Sequence, residues 1–328
     1  MTQTDRSDLG ARILSPGVDA LDRDAERRGR PGLFDELWAE GTARILPLWN
    51  GKTLTREGPD GALRLDLRAV EQVQAALVRV YLGRTRGEAP RLPAGSAVVL
   101  ETLTDAAAGE LEPDTSAWRG LRELAPRLAA ADAAILTSAV AIANWHVTAV
   151  YCPRCGMPTV VEQGGWVRRC FSDETMQFPR TDPAVIVAVT DGAGRLLLGS
   201  NAMWEHERYS VLAGFVEPGE TFEQAAAREV WEEARLRVAT PRYVGSQPWP
   251  FPASVMVGMT AELADGEDPA ALTPDGDEIF ALRWLDRDEV RRGDHGLLLP
   301  GPTTIARALI DDWYGGPIER AEGGRPPR

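Results

Sequence analysis

Three glutamates carry the clearest chemical signal in this 328-residue chain: Glu229, Glu232 and Glu233 stand at i, i+3 and i+4. On a helix that spacing brings their carboxylates to one face, where they repel one another unless a cation sits between them. Hard divalent cations such as Mg²⁺ and Mn²⁺ favour carboxylate and water oxygens. Mg²⁺ usually takes only a couple of carboxylates and completes its shell with substrate phosphates. The triplet therefore predicts metal-assisted phosphate chemistry. The alternative is a solvated acidic helix face.

The helix that carries them has a readable start. Thr221 and Gln224 form a capping box, which places the first helical residue near Phe222. Phe222, Ala226, Val230 and Ala234 recur at i+4 and predict the stripe that faces a sheet, turning the glutamates toward the edge of a cleft. They lie in the C-terminal part of the helix, where the backbone dipole favours cations.

Around this helix the chain reads as an α+β and α/β multi-domain protein. Residues 1–32, rich in Asp, Arg and Gly, read as a weakly ordered N-terminus, with Val18–Asp22 able to form a short helical turn. Residues 33–148 read as an N-terminal α+β domain. Its strands are expected at 43–49, 62–67, 77–82 and 97–100, the second showing Leu63, Leu65 and Leu67 alternating with Arg64, Asp66 and Arg68. Two helices or one bent helix follow over 118–147. A cysteine-bearing segment occupies 149–182. Residues 183–314 then mix strands and helices in the manner of an α/β/α sandwich with a mixed sheet, in which the runs 183–189 and 195–199 form a hairpin about the turn at Asp191. The Gly/Pro-rich residues 315–328 read as a disordered tail.

With 36 Lys and Arg against 49 Asp and Glu, the net charge is −13 and the pI near 4.9, which argues against a broad duplex-binding surface. The start of the chain lacks the basic and apolar regions of a secretory signal. The most apolar stretch, Ala133–Asn144, falls short of the ~20 residues of a membrane span. A cytoplasmic protein without a membrane partner is expected.

All three cysteines, Cys152, Cys155 and Cys170, fall in the 149–182 segment, at spacings that suit a structural zinc ribbon better than disulfides. A second C-x2-C pair would need cysteine at 173, where Asp173 stands as a weaker but acceptable Zn²⁺ ligand. An eroded ribbon packed around Trp166 and Phe171 without metal is the other reading. His146, His206 and His295 have no spacing that completes a catalytic site and are expected to be structural or on the surface. Further along, the prolines of Ser246–Ser254 hold Trp249 and Phe251 extended, with Ser246, Gln247 and Ser254 nearby as polar groups. Such a segment is an aromatic platform for a planar base, or a loop packed on the core.

The full string Gly214, five residues, Glu220, seven residues, then Arg228-Glu229-Val230-Trp231-Glu232-Glu233 resembles the Nudix box. Arg235 departs from it, standing where the box has Gly and where a non-Gly residue in left-handed geometry costs roughly 1 kcal/mol. Ser246-Gln-Pro-Trp-Pro-Phe-Pro-Ala-Ser254 resembles the array of the bacterial NAD⁺ diphosphatase (NADH pyrophosphatase) subgroup, and 178–186, 277–279 and 304–310 agree with it. The resemblance covers 150–314 strongly and the N-terminal domain loosely. It implies that Glu229, Glu232 and Glu233 are catalytic and bind Mg²⁺ or Mn²⁺, with Glu278 as a further ligand. It implies an Arg228–Glu220 ion pair that stiffens the turn after Gly214. Phe215, Gln247, Trp249, Phe251, Ser254 and Ala306 would bind substrate, with Phe178 contributed by the partner in a homodimer. The implied reaction is hydrolysis of NAD(H) to nicotinamide mononucleotide and AMP. Removal of the NAD cap from RNA 5′ ends by the same site, and nucleotide sensing without hydrolysis, are the alternatives.

Overall fold

A computed structural model of the chain describes residues 20–73, 76–86, 92–204, 207–292 and 297–318. Val18, Asp19, His206, His295 and most of the proposed tail, 319–328, lie outside the described residues. Two compact units are present: 20–181 together with Trp249–Ala253, and 182–248 together with 254–318.

The first unit is built on a four-stranded sheet. Strand β1 (Leu21–Asp22) enters it where a helical turn and weak order are expected from sequence, because its residues pair antiparallel with Thr85 and Arg84. After α1 (Leu33–Ala39) and β2 (Arg44–Leu48) comes a small hairpin, β3 (Thr55–Glu57) with β4 (Leu63–Leu65). Strands β5 (Ala76–Thr85) and β6 (Ala97–Leu103) complete the order β1-β5-β6-β2, with β2 and β6 parallel. The Ala-rich run resolves into two helices, α2 (Leu121–Leu124) and α3 (Ala130–Thr148). Alternation along β5 and β6 divides the core: Val80, Leu82, Val98 and Leu100 pack with Ile135 and Leu136 of α3, and Tyr81, Ala97 and Val99 pack with Leu37 of α1. Strands β7 (Thr159–Glu162), β8 (Val167–Cys170) and β9 (Met176–Gln177) form an antiparallel ribbon in the same unit.

The second unit is an α/β/α sandwich. Its strands are β10 (Asp182–Thr190), β11 (Leu196–Asn201), β12 (Leu212–Phe215), β13 (Arg242–Trp249), β14 (Ser254–Glu262) and β15 (Ile279–Leu285), ordered β13-β14-β10-β11-β15 with β12 also on β10. Helices α4 (Phe222–Ala234) and α5 (Ile305–Tyr314) cover opposite faces. Val185, Val187 and Val189 of β10 pack with Ala226 and Val230 of α4, whereas Ile186 and Ala188 pack with Ile305 and Leu309 of α5. A fully buried Val contributes about 1.5–3 kcal/mol, so the period of two along β10 fixes which helix lies on which face.

Three points refine the expected elements. The hairpin of β10 and β11 amounts to the single pair Thr190–Leu196, since β12 takes the adjoining half of β10 and β11 pairs along its length with β15. Trp249–Ala253 packs with the first unit, so residues 183–314 are not one continuous body. At the chain's end, the Ile318 N–H donates to Asp311 Oδ1 at 3.2 Å, which ties down the beginning of the proposed tail.

Candidate active site

Helix α4 starts as its sequence dictates. The Thr221 hydroxyl accepts from the Gln224 N–H at 3.2 Å, and the Gln224 side chain accepts from the Thr221 N–H at 2.9 Å. Ala225, Ala226, Val230 and Ala234 are buried, but Phe222 is 41% exposed and does not belong to the stripe. Ala225 takes the buried place instead. At the other end Arg235 adopts φ 58°, ψ 26°, the left-handed cap that the Gly of the motif would supply. Its N–H still donates to the Trp231 carbonyl at 2.9 Å.

Arg228 is the hub of the site. It grips Glu220 with two hydrogen bonds, Nε to Oε1 at 2.7 Å and Nη2 to Oε2 at 2.9 Å. A two-pronged bond of this kind fixes orientation as well as charge. From the same guanidinium, Nη2 donates to the Phe215 carbonyl at 2.8 Å, while Nη1 reaches Glu229 at 2.8 Å and Glu232 at 2.9 Å. The loop after β12 and the glutamate face of α4 are thus locked together. Gly214 permits the closest approach, because a Cβ there would lie 2.0 Å from Glu229 Cδ.

Glu233 is only 3% exposed, and its Oε2 is buried without a hydrogen-bond partner. Burial first, then the charges of Glu229, Glu278 and Asp275, push its carboxyl up to about 8, against a weaker opposing hydrogen bond from Ala213. Burial also raises Glu229, an effect that Arg228 opposes and Glu232 and Glu278 reinforce. The charges of α4 and of the 275–278 loop therefore act together on the buried Glu233.

Asp275 was not singled out from the sequence. Its Oδ1 accepts from the N–H groups of Asp277 (2.9 Å), Glu278 (3.0 Å) and Ile279 (2.9 Å), so the backbone carrying Glu278 is wrapped around this carboxylate. Burial opposes ionisation of Asp275, and the three donors overcome it, holding the carboxyl below its usual range. The loop is anchored further by Thr273 N–H to the Ala234 carbonyl and by Ala202 N–H to the Glu278 carbonyl, at 3.0 and 2.9 Å. The detectable signal was an Asp followed by Gly, the signature of a turn closed by an Asp side chain.

The remaining expected site residues are distributed as follows. Phe215 is 57% exposed. Gln247 is committed to the start of α5, donating to the Thr303 carbonyl at 2.7 Å and accepting from the Ile305 N–H at 2.8 Å. Ala306 and Ser254 are buried. In the other unit, Phe178 is 61% exposed. Trp249 and Phe251 meet edge to face at 5.1 Å, with the Arg122 guanidinium 4.2 Å above Phe251. Asn144 Nδ2 donates to the carbonyls of Pro250 (2.9 Å) and Pro252 (3.0 Å), and Phe251 packs against the core beside α3. That is the packed-loop arrangement for this segment.

A set of electrostatically coupled carboxylates, one with an orphaned buried oxygen, suits a hard divalent cation. A group whose ligand atoms already stand close enough to hold a metal lies in the ribbon, where those of Cys152, Cys155, Cys170 and Asp173 are all within 4.8 Å of one another. Cys155 Sγ is 3.4 Å from Cys170 Sγ, Cys152 Sγ is 3.9 Å from Asp173 Oδ1, and the N–H groups of Ser172 and Asp173 point at Cys170 Sγ. Thiolate and carboxylate ligands at these separations suit four-coordinate zinc. His146, by contrast, is buried and structural. Its Nε2 donates to the Gly165 carbonyl at 2.8 Å and its Nδ1 accepts from Arg168 at 3.0 Å.

Comparison with known proteins agrees with this partition. The NUDIX domain profile matches residues 180–303, that of the NADH pyrophosphatase-like rudimentary NUDIX domain matches 42–145, and that of the NADH pyrophosphatase zinc ribbon domain matches 148–178. The chain is 46% identical over 189 residues to the NAD-capped RNA hydrolase NudC of Mycobacterium bovis, covering 55% of this chain and 59% of that protein. It is 34% identical over 196 residues to the NAD-capped RNA hydrolase NUDT12 of Homo sapiens, covering 56% and 42%. The match thus spans less than two thirds of either relative. Among solved structures, a NUDIX hydrolase from Nitrosomonas europaea aligns with TM-score 0.39 and 24% identity, covering 52% of this chain and 96% of that one.

Proposed function

Because this chain belongs to the Nudix superfamily, we propose that it hydrolyses the diphosphate of NAD(H), releasing nicotinamide mononucleotide and AMP. The observation that supports this reading is the electrostatic coupling of buried Glu233 to half-buried Glu229 and exposed Glu278, with Glu233 Oε2 left unpartnered. Glu229, Glu232, Glu233 and Glu278 would hold Mg²⁺ or Mn²⁺. Such a cation neutralises phosphate charge and acidifies water. A bound cation would favour the ionised form of Glu233, whose Oε2 would then accept the proton of the attacking water. Water adds to one phosphorus, the bridging P–O bond breaks, and each product keeps one phosphate. Arg228 holds Glu229 and Glu232 in place from behind, through the grip it maintains on Glu220. Chromatography of NADH incubated with the protein and Mg²⁺ or Mn²⁺ tests the proposal, with AMP and reduced nicotinamide mononucleotide as expected products.

The names of the relatives favour a second substrate, the NAD cap of RNA, cleaved by the same chemistry. A single-stranded end needs only a local basic patch, so activity on capped RNA that falls with salt, while NADH cleavage does not, supports it. A nucleotide sensor would not need so complete a carboxylate set. Zinc in the ribbon is structural in this reading. The protein works in the cytoplasm as a homodimer in which the partner supplies its Phe178, and light scattering checks the assembly. Among the described residues no helix is long and apolar enough to cross a membrane.

A further inference from the structure

The first unit contains a cavity of about 310 Å³ lined by Arg44, Arg56, Arg64, Leu65 and Asp132 among others. Three guanidinium groups around one cavity are notable in a chain of net charge −13. Arg56 of β3 stands directly opposite Arg64 of β4 in the hairpin register, an arrangement of like charges that is destabilising in a two-stranded ladder. Their compensation is partial, although the buried Asp132 carboxylate acts on both. Arg64 is hydrogen-bonded to Asp60, yet its Nε is buried without a partner. Arg56 is 3.9 Å from Asp66, which is already engaged by Arg68 at 2.6 Å. Arg44 donates to the Ala43 carbonyl at 2.8 Å and has no acidic partner among the described residues. Asp132, only 6% exposed, joins the lining and accepts from the Leu65 N–H at 3.1 Å.

We propose that this cavity is a binding site for a nucleoside monophosphate. The dianionic phosphate meets Arg44 and Arg56 and relieves the repulsion between Arg56 and Arg64. Asp132 accepts from a ribose hydroxyl or an exocyclic amine. The volume lies at the small end of the ~300–1,000 Å³ range of ligand pockets, which suits one nucleotide. The site is separate from the glutamate cluster and does not depend on the reading of that cluster.

The test is calorimetric titration of the full-length protein with AMP, and separately with inorganic phosphate, in the absence of divalent cations. Wild type, Arg44→Glu, Arg56→Glu and Glu233→Gln are compared after circular dichroism has shown that each is folded. The expected result is one AMP per chain, phosphate at least tenfold weaker, at least a tenfold loss in each arginine variant and none in Glu233→Gln. Absence of AMP binding, or binding unchanged in both arginine variants, overturns the proposal. So does binding lost only in Glu233→Gln, which would assign the AMP to the glutamate cluster. Phosphate bound as tightly as AMP would make free phosphate the ligand and overturn the nucleotide assignment.

Discussion

Gly214 lies against the carboxylate of Glu229 so closely that a methyl group there would fall 2.0 Å from Glu229 Cδ and 2.1 Å from Oε1. A strand glycine and a helix glutamate thus occupy one space, and the turn between them exists to make that possible. Gly214→Ala must displace the Glu229 side chain and its bond to Arg228. Its kcat for NADH should fall at least tenfold, with a weaker dependence on Mn²⁺ concentration, while the far-ultraviolet dichroism stays unchanged. A fully active Gly214→Ala would show that Glu229 need not be where it is.

Arg235→Gly should stabilise the protein. The left-handed cap costs a non-Gly residue about 1 kcal/mol, and the larger freedom of Gly in the unfolded chain returns part of it. A gain of up to about 1 kcal/mol in chemical denaturation is expected, with kcat unchanged, since the proposed ligands precede the cap.

Asp275→Ala should loosen Glu278. Three N–H groups lose their acceptor, so the affinity for Mn²⁺, measured by calorimetry, should fall several-fold, and Asp275→Asn, which keeps an oxygen at this position, should restore much of it. Equal affinity in wild type and Asp275→Ala would remove the positioning role.

How far the site was legible in the sequence follows the range of its interactions. The capping box, the helix span and the left-handed residue at 235 depend on neighbours within a turn, and they could be read directly. The role of Asp275 shows only when the 275–278 loop is folded beside α4. The exposure of Phe222 is not encoded in the i+4 period. Residues 246–254 left two readings, and the contacts of Asn144 and Arg122 with Pro250, Phe251 and Pro252 belong to the packed one. The expected neighbours β10 and β11 do pair, but the long pairing of β11 with β15 and the place of β12 on β10 are not encoded in the sequence order.

His146 makes stability depend on pH. Burial, the largest influence, and the Arg168 guanidinium facing Nδ1 lower its pKa to about 4, against the Gly165 carbonyl at Nε2, which favours the charged ring. The unfolded chain binds a proton near pH 6.5, so between 6.5 and 4 it holds more protons than the folded one. Stability is therefore present above pH 6.5 and lost as pH falls toward 4, by about 3 kcal/mol at most. Denaturation of His146→Gln across this window should show a correspondingly shallower loss.

Purified protein should contain one zinc per chain, and Asp173→Ala should bind it more weakly, because a carboxylate completes a three-cysteine set. Chelation should lower the melting temperature. A metal-free wild type with the same melting temperature would favour a ribbon held by packing.

The central claim is metal-dependent hydrolysis at the glutamate cluster, and the most direct measurement is AMP release from NADH by wild type and Glu233→Gln, with and without Mn²⁺. The account predicts AMP from the wild type only when the cation is present, and a kcat lower by about 10²–10⁴-fold in the variant. Wild-type protein that binds NADH and Mn²⁺ but releases no AMP, or a Glu233→Gln variant with undiminished kcat, would contradict it.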